Sequence, residues 1–551
     1  MAIIKGDKNP NNLAATQDGD ILFGVGGDDT LSSVFNDTEL HGGKDSDDLD
    51  VFVDRTDISD VTVTALLDGG RGDDDLSSYL RSESDSGTAT STSVLVGGVG
   101  DDTLGNPLGD DATALAFGVE AYSSQTVDGG AGSDVAEAYT SAYGETYASA
   151  SAIGIGGAGD DIINLPTLAQ VGSGGDWMVS TDFNGGSGDD RLVSFTSGSG
   201  GYGGDSGVIN SEIRGGSGND TLMAIVDGVG GPDEIEVTHN ISGGNGRDQI
   251  TLEAQSIFHE GTSTNVCSTI DGDNGGDTID ASVQLINLSS QGEASITTEI
   301  SGGNGVDYLS AEADILGFSS QSGSTAFQSL RGGNSNDHLY ATSDVAGAFA
   351  ISTNELFGDN GNDLMTAMSV ATSVNQPATA SNLMYGGNGQ DVMDGTAAAS
   401  GTDPSAMNHM DGGNGNDVLI GRIVEGSTGF SHLSGGSGDD DLKVFGGECN
   451  ILEGGSGDDA LCGSDNRDGF LYIRPNSGDL GFDTITMFQQ GGVGAGDKVG
   501  LAGYSIGDLT INTATDTAVL SDGTQIYFSG LGDDLSIDDF NFLSSADDWI
   551  W

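Results

Sequence analysis

The chain has few of the residues that mark several common classes of protein. Its 551 residues include 7 prolines, 3 cysteines and 15 lysines and arginines. Scarce proline excludes collagen and proline-rich linkers, and three cysteines cannot build a disulfide framework. Cys449 and Cys462 could meet across one repeat, although two free thiols are the simpler expectation. No apolar run approaches the roughly 20 residues of a membrane-spanning helix, so we expect no membrane insertion.

Basic charge is also scarce, because 86 acidic residues oppose 15 basic ones and give a net charge of −71. Such a surface is a poor partner for nucleic acid or an anionic membrane. Acidic chains of this kind are usually disordered. Here many of the acids occupy fixed places in a repeat, which favours bound counter-ions over simple solvation.

The repeat is an eight-residue motif, G-G-x-G-x-D-x-U, where U is apolar. Clear copies supply Gly69, Gly70 and Gly72, and Gly215, Gly216 and Gly218. Place eight is always apolar, and so is the residue two places before the motif, except at Gly154. These two positions predict two columns of core residues. The sixth place holds aspartate in all seventeen copies: Asp29, Asp47, Asp74, Asp102, Asp134, Asp161, Asp190, Asp220, Asp248, Asp277, Asp307, Asp337, Asp363, Asp391, Asp417, Asp440 and Asp459.

The spacing of the motif predicts the fold. Successive copies are 18 residues apart at first, then 26 to 32, then 23 and 19. Degraded copies at 6–13, 15–22 and 33–40 extend the pattern to both edges of the first coils. We predict an all-β parallel β-roll or β-solenoid of about 17 coils over residues 1–462, with narrow coils at 1–50 and 435–462 and wide coils at 51–434. Residues 463–551, rich in aromatics, are predicted to form a non-repeat, β-rich C-terminal cap.

The chemistry of the motif suits calcium, which takes oxygen ligands from carboxylates and backbone carbonyls. We expect glycines to permit positive φ angles, the sixth-place aspartates to supply charge, and the fifth place to contribute its carbonyl. Ions between consecutive coils would number about 16 or more, with a weaker site where Ser335 replaces glycine. Magnesium is less suited, since it resists dehydration. The alternative is a glycine-rich turn with solvated aspartates and no metal.

These motifs resemble the RTX (repeats-in-toxin) family of hemolysin-type calcium-binding repeats. Phe482 to Phe488 and Gly496 to Leu501 are similar to the family's C-terminal pattern D-x-I-x-x-F…G-D-K-I-x-L. The resemblance implies a calcium-bound β-roll exported by type I secretion machinery, with an uncleaved signal at 538–551. Wide coils with one motif each depart from the family's tandem arrays, and calcium at the other edge beyond residue 42 stays open.

No enzyme is expected, because recognisable repeats begin by residue 6 and the six histidines are scattered. Ser505, in a G-x-S-x-G match, has no histidine after it and fits a turn in the cap. We therefore predict a secreted or cell-surface structural protein that self-associates into a surface layer, matrix or filament. The alternative is a calcium-dependent adhesin or a binder of cell-surface polysaccharide. The candidate binding loops are 81–87, 198–207 and 397–408. Aromatic platforms for sugars are few in the repeats (Trp177, Tyr202 and Tyr385). An ice-binding surface would need a regular Thr-x-Thr column, and Thr62 and Thr64 fit it without a visible register from coil to coil.

Overall fold

The computed structural model describes residues 1–105, 114–172, 174–200, 206–229, 234–258, 263–287, 292–317, 323–476, 478–490, 496–531 and 535–546. The chain divides into two compact units, Met1–Thr297 and Thr298–Trp551. About 70% of it is strand and 1% helix, and the strands form parallel stacked coils of a β-solenoid with about 15 turns, close to the predicted 17. The boundary predicted at 462/463 stays a prediction.

In the first unit the strands of successive coils pair in two sets, here called the two sheets, which the long strands Ala114–Ala131 and Thr140–Ala158 join by pairing with members of both. One sheet pairs the strands that precede the motif turns, as in Phe183↔Ile213, and the other pairs the strands that follow them, as in Leu192↔Leu222. Its strands are β1(Ile3–Lys5), β2(Asn12–Ala14), β3(Ile21–Phe23), β4(Thr30–Ser33), β5(Thr38–His41), β6(Asp48–Asp57), β7(Val61–Arg71), β8(Asp75–Ser84), β9(Thr88–Val99), β10(Thr103–Gly105), β11(Ala114–Ala131), β12(Val135–Glu137), β13(Thr140–Ala158), β14(Ile162–Asn164), β15(Thr167–Val171), β16(Asp176–Ser187), β17(Arg191–Ser199), β18(Ser206–Ser217), β19(Thr221–Val229), β20(Glu234–Asn245), β21(Gln249–Phe258), β22(Ser263–Asn274) and β23(Thr278–Asn287).

The second unit repeats this arrangement. Strand β24(Ala294–Asn304) contains the division between the units. The strands that follow are β25(Tyr308–Gly317), β26(Gly323–Asn334), β27(His338–Ala346), β28(Ala348–Asn360), β29(Leu364–Thr372), β30(Ala378–Asn388), β31(Val392–Ser400), β32(Pro404–Asn414), β33(Val418–Ile423), β34(Gly429–Ser437), β35(Asp441–Phe445), β36(Asn450–Ser456), β37(Ala460–Cys462), β38(Asp468–Ile473), β39(Phe482–Thr486), β40(Lys498–Ala502), β41(Leu509–Asn512), β42(Thr517–Leu520), β43(Gln525–Phe528) and β44(Phe540–Leu543).

The C-terminal segment departs from the parallel pattern. Strands β41, β42 and β43 pair antiparallel, while β39 and β40 pair parallel with β37 and β38. The helices of the described ranges are two 3₁₀ turns, Ile506–Asp508 and Ile537–Asp539. No described helix is long and apolar enough to cross a membrane.

The two predicted core columns are confirmed. Every eighth-place residue is buried, as Leu31 and Leu461 illustrate, and so is every apolar residue two places before a motif. Gly154 lacks a side chain because a Cβ there would lie 2.6 Å from Ile163 and 3.3 Å from Phe183. The neighbouring side chains already fill this part of the core.

The interior also holds a polar column that the sequence analysis missed. Four places before the motif, Asn354, Asn382 and Asn408 are fully buried. The amide of Asn354 donates to Oδ1 of Asn382 (3.1 Å), and that of Asn382 donates to Oδ1 of Asn408 (2.9 Å). Each amide also donates to a backbone carbonyl, at 2.8 to 2.9 Å, so these polar groups are satisfied inside the core.

Candidate metal centre

The seventeen sixth-place aspartates lie in the turns that lead from one sheet to the other. We call the edge formed by these turns the motif edge. Their residues are between 0% and 3% exposed. An ionised carboxylate is costly to bury unless it is paired or hydrogen-bonded. The partners of each carboxylate therefore decide what the column can do.

One carboxylate oxygen has a structural partner. The backbone N–H of Asp190 donates to Oδ1 of Asp220 (2.8 Å), and that of Asp220 donates to Oδ1 of Asp248 (2.8 Å). In the first unit this ladder runs from Asn11 onward, and in the second it runs from Asp307 onward. Aspartate is thus useful at place six even without a metal, which the sequence analysis did not anticipate.

The other carboxylate oxygen is different. In fifteen of the motif aspartates Oδ2 is buried and has no hydrogen-bond partner among the described residues. A buried acceptor without a partner costs about 1–3 kcal/mol, and more when it is charged. These residues are Asp29, Asp47, Asp74, Asp102, Asp134, Asp161, Asp190, Asp220, Asp248, Asp337, Asp363, Asp391, Asp417, Asp440 and Asp459.

The motif glycines have two separate roles. At places two and four the backbone is left-handed, with φ of 111° at Gly216 and 140° at Gly218, as expected. At place one the reason is space. A Cβ on Gly215 would lie 2.4 Å from Oδ2 of Asp220 and 2.5 Å from the carbonyl oxygen of Gly243 in the next coil. A carboxylate oxygen and a carbonyl oxygen therefore face the same small space.

Burial and neighbouring charge disturb the acidity of this column. Burial first, and then the carboxylates of adjacent coils, raise the pKa of Asp74, Asp190 and Asp391 to about 7. The same causes raise the pKa of Asp440 to about 7. A metal-free column therefore resists ionisation near neutral pH, and bound cations would offset this repulsion.

The donor set is consistent with a hard cation. Among the residues described, no group of three or more His, Cys, Asp or Glu side chains could hold a metal by itself. A cation at this edge would therefore combine a few carboxylate oxygens with backbone carbonyls. Calcium accepts that mixture, and its six to eight oxygen ligands exceed what one coil supplies.

The fifth place forms a second ladder on the exposed side of the turn. The N–H of Asn219 donates to Oδ1 of Asp189 (2.7 Å), and the N–H of Arg247 donates to Oδ1 of Asn219 (2.9 Å). This ladder runs opposite to the sixth-place ladder, because the donor now belongs to the later coil. It accounts for Asp, Asn or Ser at many fifth places, while the predicted carbonyl ligand stays a prediction.

Ser335 adopts the glycine conformation at place four, with φ of 101°. The ladder nevertheless continues through its turn, since the N–H of Asp307 donates to Oδ1 of Asp337 (2.9 Å) and that of Asp337 to Oδ1 of Asp363 (2.7 Å). A non-glycine residue in this region costs about 1–3 kcal/mol, so Ser335 strains its turn.

The column extends one step beyond the seventeen predicted copies. The N–H of Asp459 donates to Oδ1 of Asp483 (3.0 Å), and the buried Asp483 carboxylate lies beside the Tyr472 hydroxyl. Burial, and then Asp459, raise its pKa to about 8. Gly478, Gly481 and Ile485 have the motif's spacing around it, a signal hidden by Asp479 at place two.

The opposite edge, formed by the turns that return to the first sheet, has buried aspartates of another kind. Asp20 accepts from the N–H of Ala2 through Oδ1, and from the N–H and hydroxyl of Thr16 through Oδ2. Burial acts to raise its pKa, but these hydrogen bonds outweigh it and the pKa is lowered. In the second unit Asp468 accepts hydrogen bonds from Asn450 and Ser464 through both oxygens.

Three other predictions concern Ser505, the cysteines and the threonine register. The hydroxyl of Ser505 donates to Asp508 (2.7 Å), as expected of a residue in a turn. Cys449 and Cys462 are not joined by a disulfide. The Thr-x-Thr register exists but is short: Thr62 and Thr64 pair with Thr90 and Thr92, and the next coil places Tyr122 and Ser124 there.

The aromatic platforms considered for sugar binding fare differently. Trp177 is 2% exposed, so the prediction that it forms a surface platform is wrong. A Cβ on Gly198 or Gly207 would lie 2.0 or 2.1 Å from its indole, which explains both glycines as space for the ring. Tyr202 lies outside the described residues. Tyr385 is half-buried and stacks on Phe357, with ring centroids 5.1 Å apart.

Comparison of the sequence with known proteins adds no identification. A scan against protein-family models finds no match, and a search of curated proteins finds none. The chemistry of the site therefore carries the functional argument.

Proposed function

We propose that the chain is an extracellular, calcium-binding structural protein whose coils are held together by calcium ions along the motif edge. The observation that carries this proposal is a column of fifteen buried Oδ2 atoms in the motif turns, which have no partners among the described residues. Charge repulsion within such a column is offset by divalent cations, and place-one glycines keep the space beside each oxygen clear.

The biological role that fits best is a self-assembling subunit of a surface layer, matrix or filament. Its support is the regular stacking of strands within each unit, together with a net charge of −71 that calcium could bridge between neighbouring subunits. Export by type I secretion machinery would deliver the chain to the millimolar calcium that extracellular modules use. RTX membership belongs to the same proposal and rests on the motif.

Electron microscopy of the purified chain at high concentration tests the assembly. We expect sheets or filaments in millimolar calcium and none in chelator. Rods that stay isolated in calcium at every concentration would contradict self-assembly and favour the alternative of an adhesin or polysaccharide binder. The buried position of Trp177 already weakens the sugar-binding form of that alternative.

A further inference from the structure

Two histidines lie next to each other on the outer surface of the second unit. His409 in β32 and His432 in β34 are register neighbours, and their ring centroids are 5.1 Å apart with planes inclined by 57°. Both occupy the third place before a motif, at 412 and 435. The adjacent residues Met410 and Leu433 are fully buried, so strand alternation directs the two imidazoles outward.

The imidazoles are only partly accessible, and one has an unsatisfied nitrogen. Both histidines are half-buried. Nε2 of His432 is buried and has no hydrogen-bond partner among the described residues. Tyr385 meets His409 edge-on, with ring centroids 6.1 Å apart. A buried polar atom without a partner calls for an explanation, such as an ion or water.

Acidic groups surround the pair. Asp411 follows His409 by two residues on the same face, and Glu453 lies on β36, whose strand pairs with β34. Burial and then His409 lower the pKa of His432, while Asp411 acts in the opposite direction. Burial, followed by Asp411, raises the pKa of Glu453. The two imidazoles therefore lie in acidic surroundings that favour a bound cation.

We propose that His409 and His432 form a two-imidazole site for a borderline divalent transition metal such as Zn²⁺, with water completing the coordination and Asp411 supplying nearby negative charge. Imidazole nitrogen suits zinc, copper and nickel, whereas calcium requires oxygen ligands. The site is therefore chemically separate from the carboxylate column of the motif edge. It does not depend on the proposed function, because it needs only the fold of the second unit.

Titration of Zn²⁺ into the full-length protein, monitored by calorimetry, tests the site. Calcium is present throughout in large excess, so that it competes with zinc for the exposed carboxylates of the acidic surface. We expect one zinc ion to bind to the native protein. A His409→Ala/His432→Ala variant should lose this ion or bind it at least roughly tenfold more weakly. Asp411→Asn should weaken binding by a smaller factor, because it removes charge but no ligand.

The matched control is His338→Ala. His338 is also in the second unit and stacks on Tyr308 (4.7 Å), but its ring neighbour is not a histidine. Far-UV circular dichroism in calcium verifies folding, and His432→Gln serves as a milder variant if the double variant unfolds. Electron paramagnetic resonance with Cu²⁺ gives a second readout, since two coordinated imidazoles produce nitrogen hyperfine splitting.

Two results would overturn the proposal. One is unchanged zinc stoichiometry and affinity in the folded double variant. The other is an equal loss of binding in His338→Ala, which would indicate diffuse binding to the acidic surface instead of a site at the pair.

Discussion

Buried aspartates occur at both edges of the coils, but their carboxylate oxygens have different numbers of hydrogen-bond partners at the two edges. At the opposite edge Asp20 has both oxygens occupied by hydrogen bonds from Ala2 and Thr16. At the motif edge Asp47 accepts the N–H of Asp29 through Oδ1 (2.8 Å), but its Oδ2 has no partner among the described residues. Both residues are no more than 3% exposed.

The comparison separates burial from metal binding. A buried carboxylate satisfied by protein donors, such as Asp20, needs no cation. A buried carboxylate with a free oxygen and like-charged neighbours, such as Asp47, is unfavourable until something positive approaches it. The same contrast recurs in the second unit between Asp468 and Asp459. We therefore propose that calcium binds at the motif edge and not at the opposite edge.

Removal of calcium should have the largest effect. In chelator at pH 8 we expect most of the far-UV β-sheet signal to disappear, because ion binding and folding are coupled when the site requires the folded turns. Calcium titration followed by circular dichroism measures this. An unchanged spectrum in chelator would contradict the proposal that calcium binds at the motif edge.

Acidification should partly replace calcium. The folded-state pKa values of Asp74, Asp190 and Asp440 are raised to about 7, above the unfolded value near 3.8. Raised values stabilise the fold below the unfolded pKa, and this stability is lost as pH rises through about 7. In chelator, the protein should therefore be more folded at pH 5 than at pH 8. In saturating calcium the trend should reverse, because protons compete with the ion; a fold in chelator that weakens toward pH 5 would contradict the burial argument.

Paired asparagine substitutions at the two edges give the sharpest comparison. Asp440→Asn keeps an oxygen for the N–H of Asp417 but removes the charge and one oxygen. It should lose at least one calcium ion, with about 2.7 kcal/mol of stability lost per ion at calcium concentrations 100 times Kd. Asp468→Asn should lose about 1–3 kcal/mol by misplacing an amide against Ser464 and Asn450, and bind as many ions as the native protein.

Calcium stoichiometry by calorimetry, with chemical unfolding in saturating calcium, distinguishes the two variants. If both variants bind as many ions as the native protein, the hydrogen bond accepted by Oδ1 is sufficient to explain why aspartate occupies the motif edge. A lower ion count in Asp468→Asn would extend calcium binding to the opposite edge.

The smallest effect is expected at Ser335. Ser335→Gly should stabilise the second unit by about 1 kcal/mol, because its φ of 101° suits glycine. Ser217→Gly, at place three of another motif and outside the positive-φ residues, is the control and should give no gain. Thermal unfolding in saturating calcium measures both, and an equal response would argue against strain at Ser335.

The sequence predicted the solenoid well because its signals are local and repeated. Leu31 and Leu461 mark a column by spacing alone, and stacking places every member of that column in the core. The positive φ values at Gly216 and Gly218 followed from glycine at fixed places. Such features can be predicted without knowing which coils contact each other.

Features that depend on contact between coils were not visible. The role of Gly215 requires the position of Oδ2 of Asp220, and the burial of Trp177 requires the space left by Gly198 and Gly207. The histidines appear scattered in the sequence because coil length varies. The 23 residues between His409 and His432 equal one coil at that point, whereas the wide coils have 26 to 32 residues. Asp483 falls within the predicted C-terminal cap because Asp479 replaces a glycine of its motif.

The sixth-place ladder also gives the stack a direction. In each unit the amide of one aspartate is accepted by the carboxylate of the coil that follows, as Asp417 is by Asp440. The fifth-place ladder runs the other way, as the N–H of Asp458 donates to Oδ1 of Asp439. Each junction between such coils therefore has amide donors on both sides. A coil at either end of a growing stack presents both a donor and an acceptor to the next coil, so the turns themselves act as a template for adding coils.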